Sequence, residues 1–105
     1  MSKIESYLGL CRKANQIVIG QDNLKKFSKA IYLLVVSNSS SNNLCDLANR
    51  LANKFNCNLI KPNIPLEDII HISGCKIVGV RSKSLADTII NNTNEYEILR
   101  SRNGE

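Results

Sequence analysis

Apolar residues recur along this chain in two ways: at steps of three and four in some stretches, and as short continuous β-branched or aliphatic runs in others. The two kinds of stretch alternate. Over Lys3 to Asn15, Ile4, Tyr7, Leu8 and Cys11 share one helical face, with Lys3, Arg12 and Lys13 on the polar side. Ile17-Val18-Ile19, closed by Gly20, predicts a short strand. Gln21 to Ala30 predicts a second helix, buried through Leu24, Phe27 and Ala30 and exposing Lys25, Lys26 and Lys29. The unbroken run Ile31 to Val36 predicts a strand covered on both faces. Ser37 to Ser41 forms a loop rich in helix-capping residues, and a helix from about Asn42 to Phe55 follows through Leu44, Leu47, Ala48, Leu51 and Phe55. Leu59-Ile60 predicts a short strand. Pro65 suits the first position of a helix carrying Leu66, Ile69 and Ile70 and leading into Ser73-Gly74. Ile77 to Val80 predicts a fourth strand, and Ser82 a cap for a last helix through Leu85, Ala86, Ile89 and Ile90.

This alternation predicts the α/β class, as a three-layer α/β/α sandwich with helices on both faces of a four-stranded mixed sheet. Residues 1–91 are expected to form one domain. Residues 92–105 are polar and rich in Asn, which predicts a frayed or loosely docked tail, with Tyr96, Ile98 and Leu99 able to pack back. A length of 105 residues suits a single core. With 43% apolar and 22% charged residues and no Trp, that core rests on Ile, Leu and Val, with Phe27, Phe55 and Tyr32 as larger fillers.

Charge and cysteine usage narrow the functional classes. No stretch approaches the ~20 apolar residues of a membrane span. The start, Met1-Ser2-Lys3-Ile4-Glu5, lacks the apolar run of a secretory leader, so a cytoplasmic protein without a membrane partner is expected. Cys11, Cys45, Cys57 and Cys75 form no C-x-x-C pair and fit no zinc spacing, so they are expected to be reduced thiols acting as small hydrophobes, with no metal or cofactor. The formal net charge of +5 suits a phosphate-rich partner as well as a merely solvated surface.

Signatures of catalysis are missing: there is no G-x-S-x-G, no G-x-G-x-x-G after a strand and no G-x-x-x-x-G-K-[ST]. Glu67 and Asp68 are neighbours on one predicted helix and do not face each other, and His71 reads as a surface or helix-end histidine. A non-enzymatic role is the expectation.

The informative stretch is Tyr7 to Lys26. A helix ends in the basic turn Arg12-Lys13-Ala14-Asn15, a short strand follows, and Gly20-Gln21-Asp22-Asn23 leads into a lysine-bearing helix. Gly20 permits a positive φ or a close backbone approach. Free N–H groups at a helix start favour phosphate oxygens. An amide can pair with a base edge, a carboxylate can accept from a guanine or cytosine amino group, and Lys26 lies one turn on. Gly-Gln-Asp-Asn is equally a capping sequence in which Asp22 or Asn23 satisfies the first turn, and the lysines equally a solvated face.

The run Tyr7-Leu8-Gly9-Leu10-Cys11-Arg12-Lys13-Ala14-Asn15-Gln16-Ile17-Val18-Ile19-Gly20 resembles the opening of bacterial members of the kink-turn-RNA-binding ribosomal protein superfamily, the group of large-subunit proteins L-seven-Ae and L-thirty-e. Tyr32 to Val36, Asn42 to Phe55, Ile77 to Val80 and Ser84-Leu85-Ala86 continue the likeness over roughly residues 3 to 91. The resemblance implies an α/β/α sandwich that binds a kink-turn, an RNA bend with tandem sheared G·A pairs. It implies contact with those guanines by Gly20, Gln21, Asp22, Asn23 and Lys26, and cover of unstacked bases by a second loop, Ser73-Gly74-Cys75-Lys76-Ile77. Lys25, Lys26, Lys29, Lys76, Arg81 and Lys83 supply phosphate attraction in this reading. Where the archaeal and eukaryotic pattern has Asn then Glu, this chain has Asp22 then Asn23, and Asn15 stands where Gly is usual. The implied partners of this monomer are kink-turn or ribosomal RNA, with ribosomal or translation-factor proteins beside it. The alternative reading is a protein-interaction module of the same fold.

Overall fold

In the computed structural model, which describes residues 3–101, the unbroken apolar run after Ala30 becomes a central strand. The described chain is a mixed α/β fold of five helices and one five-stranded mixed sheet. The elements run α1 (Lys3–Lys13), β1 (Ile17–Ile19), α2 (Gln21–Lys26), β2 (Leu33–Val36), α3 (Asn42–Phe55), β3 (Asn58–Pro62), α4 (Leu66–Ile70), β4 (Ile77–Val80), α5 (Lys83–Asn92) and β5 (Tyr96–Arg100). The strand order is β1-β4-β2-β3-β5, with β2 and β3 parallel and every other pair antiparallel.

The period-two geometry of β2 explains why its sequence shows no polar alternation. Leu33 and Val35 enter a core cluster with α1, α4 and α5, whereas Leu34 and Val36 enter a second cluster with α2 and α3. All four are fully buried. Burying each such side chain contributes roughly 1.5–3 kcal/mol. Gly79 in β4 supplies clearance rather than flexibility: a Cβ there would lie 2.7 Å from Leu24 Cδ2 and 3.1 Å from Ile31 Cγ2. That space lets α2 sit down on the sheet through Leu24, its buried residue.

The sheet has five strands, not the expected four. The fifth comes from the segment read as a tail: Tyr96–Arg100 pairs with the outer edge of β3, which is longer than the predicted Leu59-Ile60. Tyr96 Oη donates to Ile90 O at 3.0 Å, Lys61 pairs with Glu97 at 3.3 Å, and Leu99 packs on the second cluster. The second helix ends at Lys26 rather than Ala30, because Phe27 turns to an extended conformation (φ −69°, ψ 124°) and Ala30 is exposed. The first ends at Lys13, and Asn15 takes the left-handed conformation (φ 56°) that its short polar side chain tolerates. Pro65 stands just before α4, at its cap position. Ser41 and Ser82 cap α3 and α5, as their sequence positions predict. Among the described residues no helix is long and apolar enough to cross a membrane.

The registers place one set of connections together. Ile19 pairs with Val78, Val36 with Ile77 and Pro62 with Tyr96, so β1, β2 and β3 end where β4 and β5 begin. Helices α2, α3 and α4 start at that same end.

Candidate functional site

At this end of the sheet, two segments far apart in sequence form the walls of one cleft of about 420 Å³. Gly20, Gln21, Asp22 and Asn23 line one side, and Ser73, Gly74, Cys75 and Lys76 the other. The β1–β4 ladder fixes their spacing, since it runs one residue beyond β1: Gly20 N–H donates to Ile77 O at 3.0 Å. Each wall turns on a glycine of positive φ, Gly20 at 90° and Gly74 at 76°. A Cβ at either would meet nothing within 4 Å, so the requirement there is conformational rather than spatial.

The capping question raised by Gly-Gln-Asp-Asn has a definite answer. Gly20 is the N-cap of α2, and no side chain caps that helix. The first turn is closed only by the backbone, through Leu24 N–H donating to Gly20 O at 3.1 Å. Asp22 and Gln21 are exposed and make no hydrogen bond or ion pair among the described residues. Asn23 behaves differently: its Nδ2 donates to Ile19 O at 2.8 Å, so the amide fastens the turn to the end of β1.

On the opposite wall, the expected site residues divide. Lys76 is committed inside the protein: its Nζ donates to Ser39 Oγ at 2.8 Å and pairs with Glu67 Oε2 at 3.2 Å. The Lys76 hydrogen bond is the main reason the Glu67 carboxyl is held below the usual carboxylate range. Cys75 is 6% exposed and Ile77 2%, so both belong to the core and offer a partner only backbone groups. Burial pushes the Cys75 thiol up, as it does Cys11, to about 11, and Cys57, to about 12.

Lys25, Lys26 and Lys29 are exposed but do not line this cleft. Lys26 and Lys29 lie at the other end of α2, beside Phe27 and the end of α3. Arg81 stacks over the Phe27 ring, 5.2 Å from its centroid, and Lys83 pairs with Asp87 one helical turn on. Of the basic residues singled out by sequence, Lys76 alone lines the cleft, while Lys25 and Lys26 lie on α2, Lys29 just beyond it, Arg81 after β4 and Lys83 at the start of α5.

Sequence reasoning missed Leu44 and Ile72, which form apolar parts of the cleft lining. Leu44 read as a core position on α3, and only the convergence of strand ends puts it beside Gly20. It also missed the Ser39–Lys76–Glu67 contact. Its one available signal was the serine-rich loop leaving the central strand. Compared with models of protein families and with curated proteins, the chain matches none.

Proposed function

We propose that this chain is a non-catalytic binder of structured RNA, kink-turn-like in form, and that the cleft between the β1–α2 turn and the Ser73–Ile77 loop is where it binds. The observation that carries the reading is the joining of those two segments, both singled out by sequence, through the Gly20–Ile77 backbone hydrogen bond into one cleft. The parts suit the task. Asp22 and Gln21 are unspent polar groups for base edges, and the carboxylate of Asp22 accepts from guanine or cytosine amino groups. Asn23 holds the turn, and Lys76, tied to Glu67, holds the facing loop. Lys25, Lys26 and Lys29 lend the sequence-independent attraction to phosphates. In this reading the two core clusters are the halves of a three-layer α/β/α sandwich, and the protein works in the cytoplasm as a monomer in ribosome- or translation-associated complexes.

The test is a titration of the purified protein with a fluorescent kink-turn RNA and with the same RNA carrying Watson–Crick pairs in place of its G·A pairs, at low and high salt. Tight binding to the first and weak binding to the second is the expected result. Equal, steeply salt-dependent binding would reduce the site to a basic surface. Binding to neither would turn the reading toward a protein-interaction module.

A further inference from the structure

The early end of α2 creates a second feature. From Phe27 the chain runs extended, and it is fastened to the last turn of α3 by Lys54, whose Nζ donates to Lys25 O at 3.0 Å and to Phe27 O at 3.3 Å. The same ammonium lies 4.9 Å from the centroid of the Phe55 ring. The result is a depression of about 450 Å³ lined by Lys26, Phe27, Lys29, Lys54 and Phe55, with Ser28 and Ala30 between them.

Three properties separate this surface from an ordinary solvated lysine face. It contains three ammonium groups and no carboxylate. Both phenylalanines of the chain line it, each only partly buried. Lys26 and Lys29 form no ion pair among the described residues, and the carboxylate one helical turn before Lys26, Asp22, is not part of the depression. Aromatic surface between uncompensated cations matches the chemistry of single-stranded nucleic acid, where base faces stack and phosphates follow the positive charge.

We infer that this depression is a second RNA contact that takes a single-stranded segment: Lys26 and Lys29 hold its phosphates, and an unstacked base lies against the parts of the Phe27 and Phe55 rings that Arg81 and Lys54 leave uncovered. Lys54 is a positioning residue, fixing the extended segment so that the two rings share one hollow. The six residues of α2 separate it from the cleft by about 9 Å, so a strand leaving a structured element in the cleft reaches it within a few nucleotides. That continuity rests on the function proposed above, whereas the single-strand contact can be tested without it.

The probe is hexauridylate, which has no secondary structure, titrated into the full chain while backbone amide resonances are followed by NMR. The expected shifts fall on Phe27, Ser28, Lys29 and Phe55 and leave Gln21 to Asn23 unmoved. Phe27→Leu combined with Lys29→Gln should weaken hexauridylate binding about tenfold. Lys29→Gln alone should lower the salt slope by about 0.7, and Lys29→Arg should preserve it. A thermal unfolding transition like that of the parent shows that the double variant is folded; if it is not, Lys29→Gln carries the test. Shifts confined to the cleft, no binding, or a folded variant that binds as the parent does would each overturn the inference. So would the same shifts with anionic vesicles and none with hexauridylate. Kink-turn RNA run in parallel separates the two claims: hexauridylate at Phe27 with no kink-turn binding leaves this inference standing and removes the other, and the converse does the reverse.

Discussion

The β1–α2 and β2–α3 connections make a natural pair. Both leave a strand at the same end of the sheet, and both start a helix there, yet they handle their polar groups in opposite ways. After β2, Ser41 accepts from Leu44 N–H and caps α3. Ser37, fully buried, accepts from Leu66 N–H at 3.0 Å and from Ser39 N–H at 3.3 Å, and Ser39 and Glu67 bind Lys76. Ser40 Oγ is the exception, buried without a hydrogen-bond partner. After β1, by contrast, a glycine caps the helix, and Gln21 and Asp22 have no partner among the described residues. The β2–α3 connection uses nearly all its side-chain donors and acceptors inside the protein, whereas the β1–α2 connection uses only Asn23, on Ile19 O. Gln21 and Asp22, exposed at a turn that Gly20 and Asn23 hold in place, have only solvent as a partner among the described residues, and this is the difference on which the proposed function rests.

Substitutions can break or sharpen this contrast. The largest effect is expected from Leu24→Ala, which removes the buried anchor of α2 and should cost about 2–5 kcal/mol in urea unfolding, along with RNA binding. Ser37→Ala should come next on the internally satisfied side. It leaves the buried Leu66 N–H without its acceptor, costs roughly 1–3 kcal/mol of stability, and should leave RNA affinity unchanged in a titration of the folded variant. Asp22→Ala is its mirror image. Stability should stay within about 0.5 kcal/mol, while discrimination between intact and replaced G·A pairs falls by about 1–3 kcal/mol. Equal losses on both RNAs would deny Asp22 a reading role. Ser41→Ala should cost about 1 kcal/mol through the α3 cap, without touching RNA binding.

The smallest effect is a pH dependence. Lys76 lowers the Glu67 carboxyl below its ordinary range, so the folded form binds that proton less readily than the unfolded chain does. The contribution is complete above the ordinary glutamate range and is lost as pH falls through the lowered one. Acid unfolding curves of Lys76→Gln should therefore be flatter across that window than those of the parent.

Elements buried by their own periodicity were legible from sequence. Helix α3 spans Asn42–Phe55 and strand β4 spans Ile77–Val80, as the apolar spacing predicts. The misses occur where a partner decides the outcome. Strand β5 has two exposed central residues, Glu97 and Ile98, and follows an Asn-rich stretch, so nothing local distinguishes it from a tail; the edge of β3 makes it a strand. Leu24, Phe27 and Ala30 keep helical spacing, but Phe27 leaves the helix in an extended conformation and packs on the second core cluster with Arg81 over its ring. The two walls of the cleft were singled out as segments through the family resemblance, since Gly-Gln-Asp-Asn on its own reads equally as a cap and Ser73 to Ile77 as an ordinary loop. What occupies Lys76 was not: its partners lie 37 and 9 positions away, at Ser39 and Glu67, and sequence spacing carries no sign of the meeting.

The order of strands has a consequence for synthesis. A chain growing from its N-terminus makes β1 early, but β1 pairs only with β4, and β4 also separates β1 from β2. The parallel pair β2–β3 can assemble first, while β1 and the glycine turn behind it wait for residues 77–80 to emerge. The cleft is thus among the last features to form, and a nascent fragment lacking β4 holds neither its second wall nor the hydrogen bond that sets its width. On the proposed function, capture of stalled nascent chains by kink-turn RNA should therefore begin once residues 77–80 have emerged, before β5 adds the last strand.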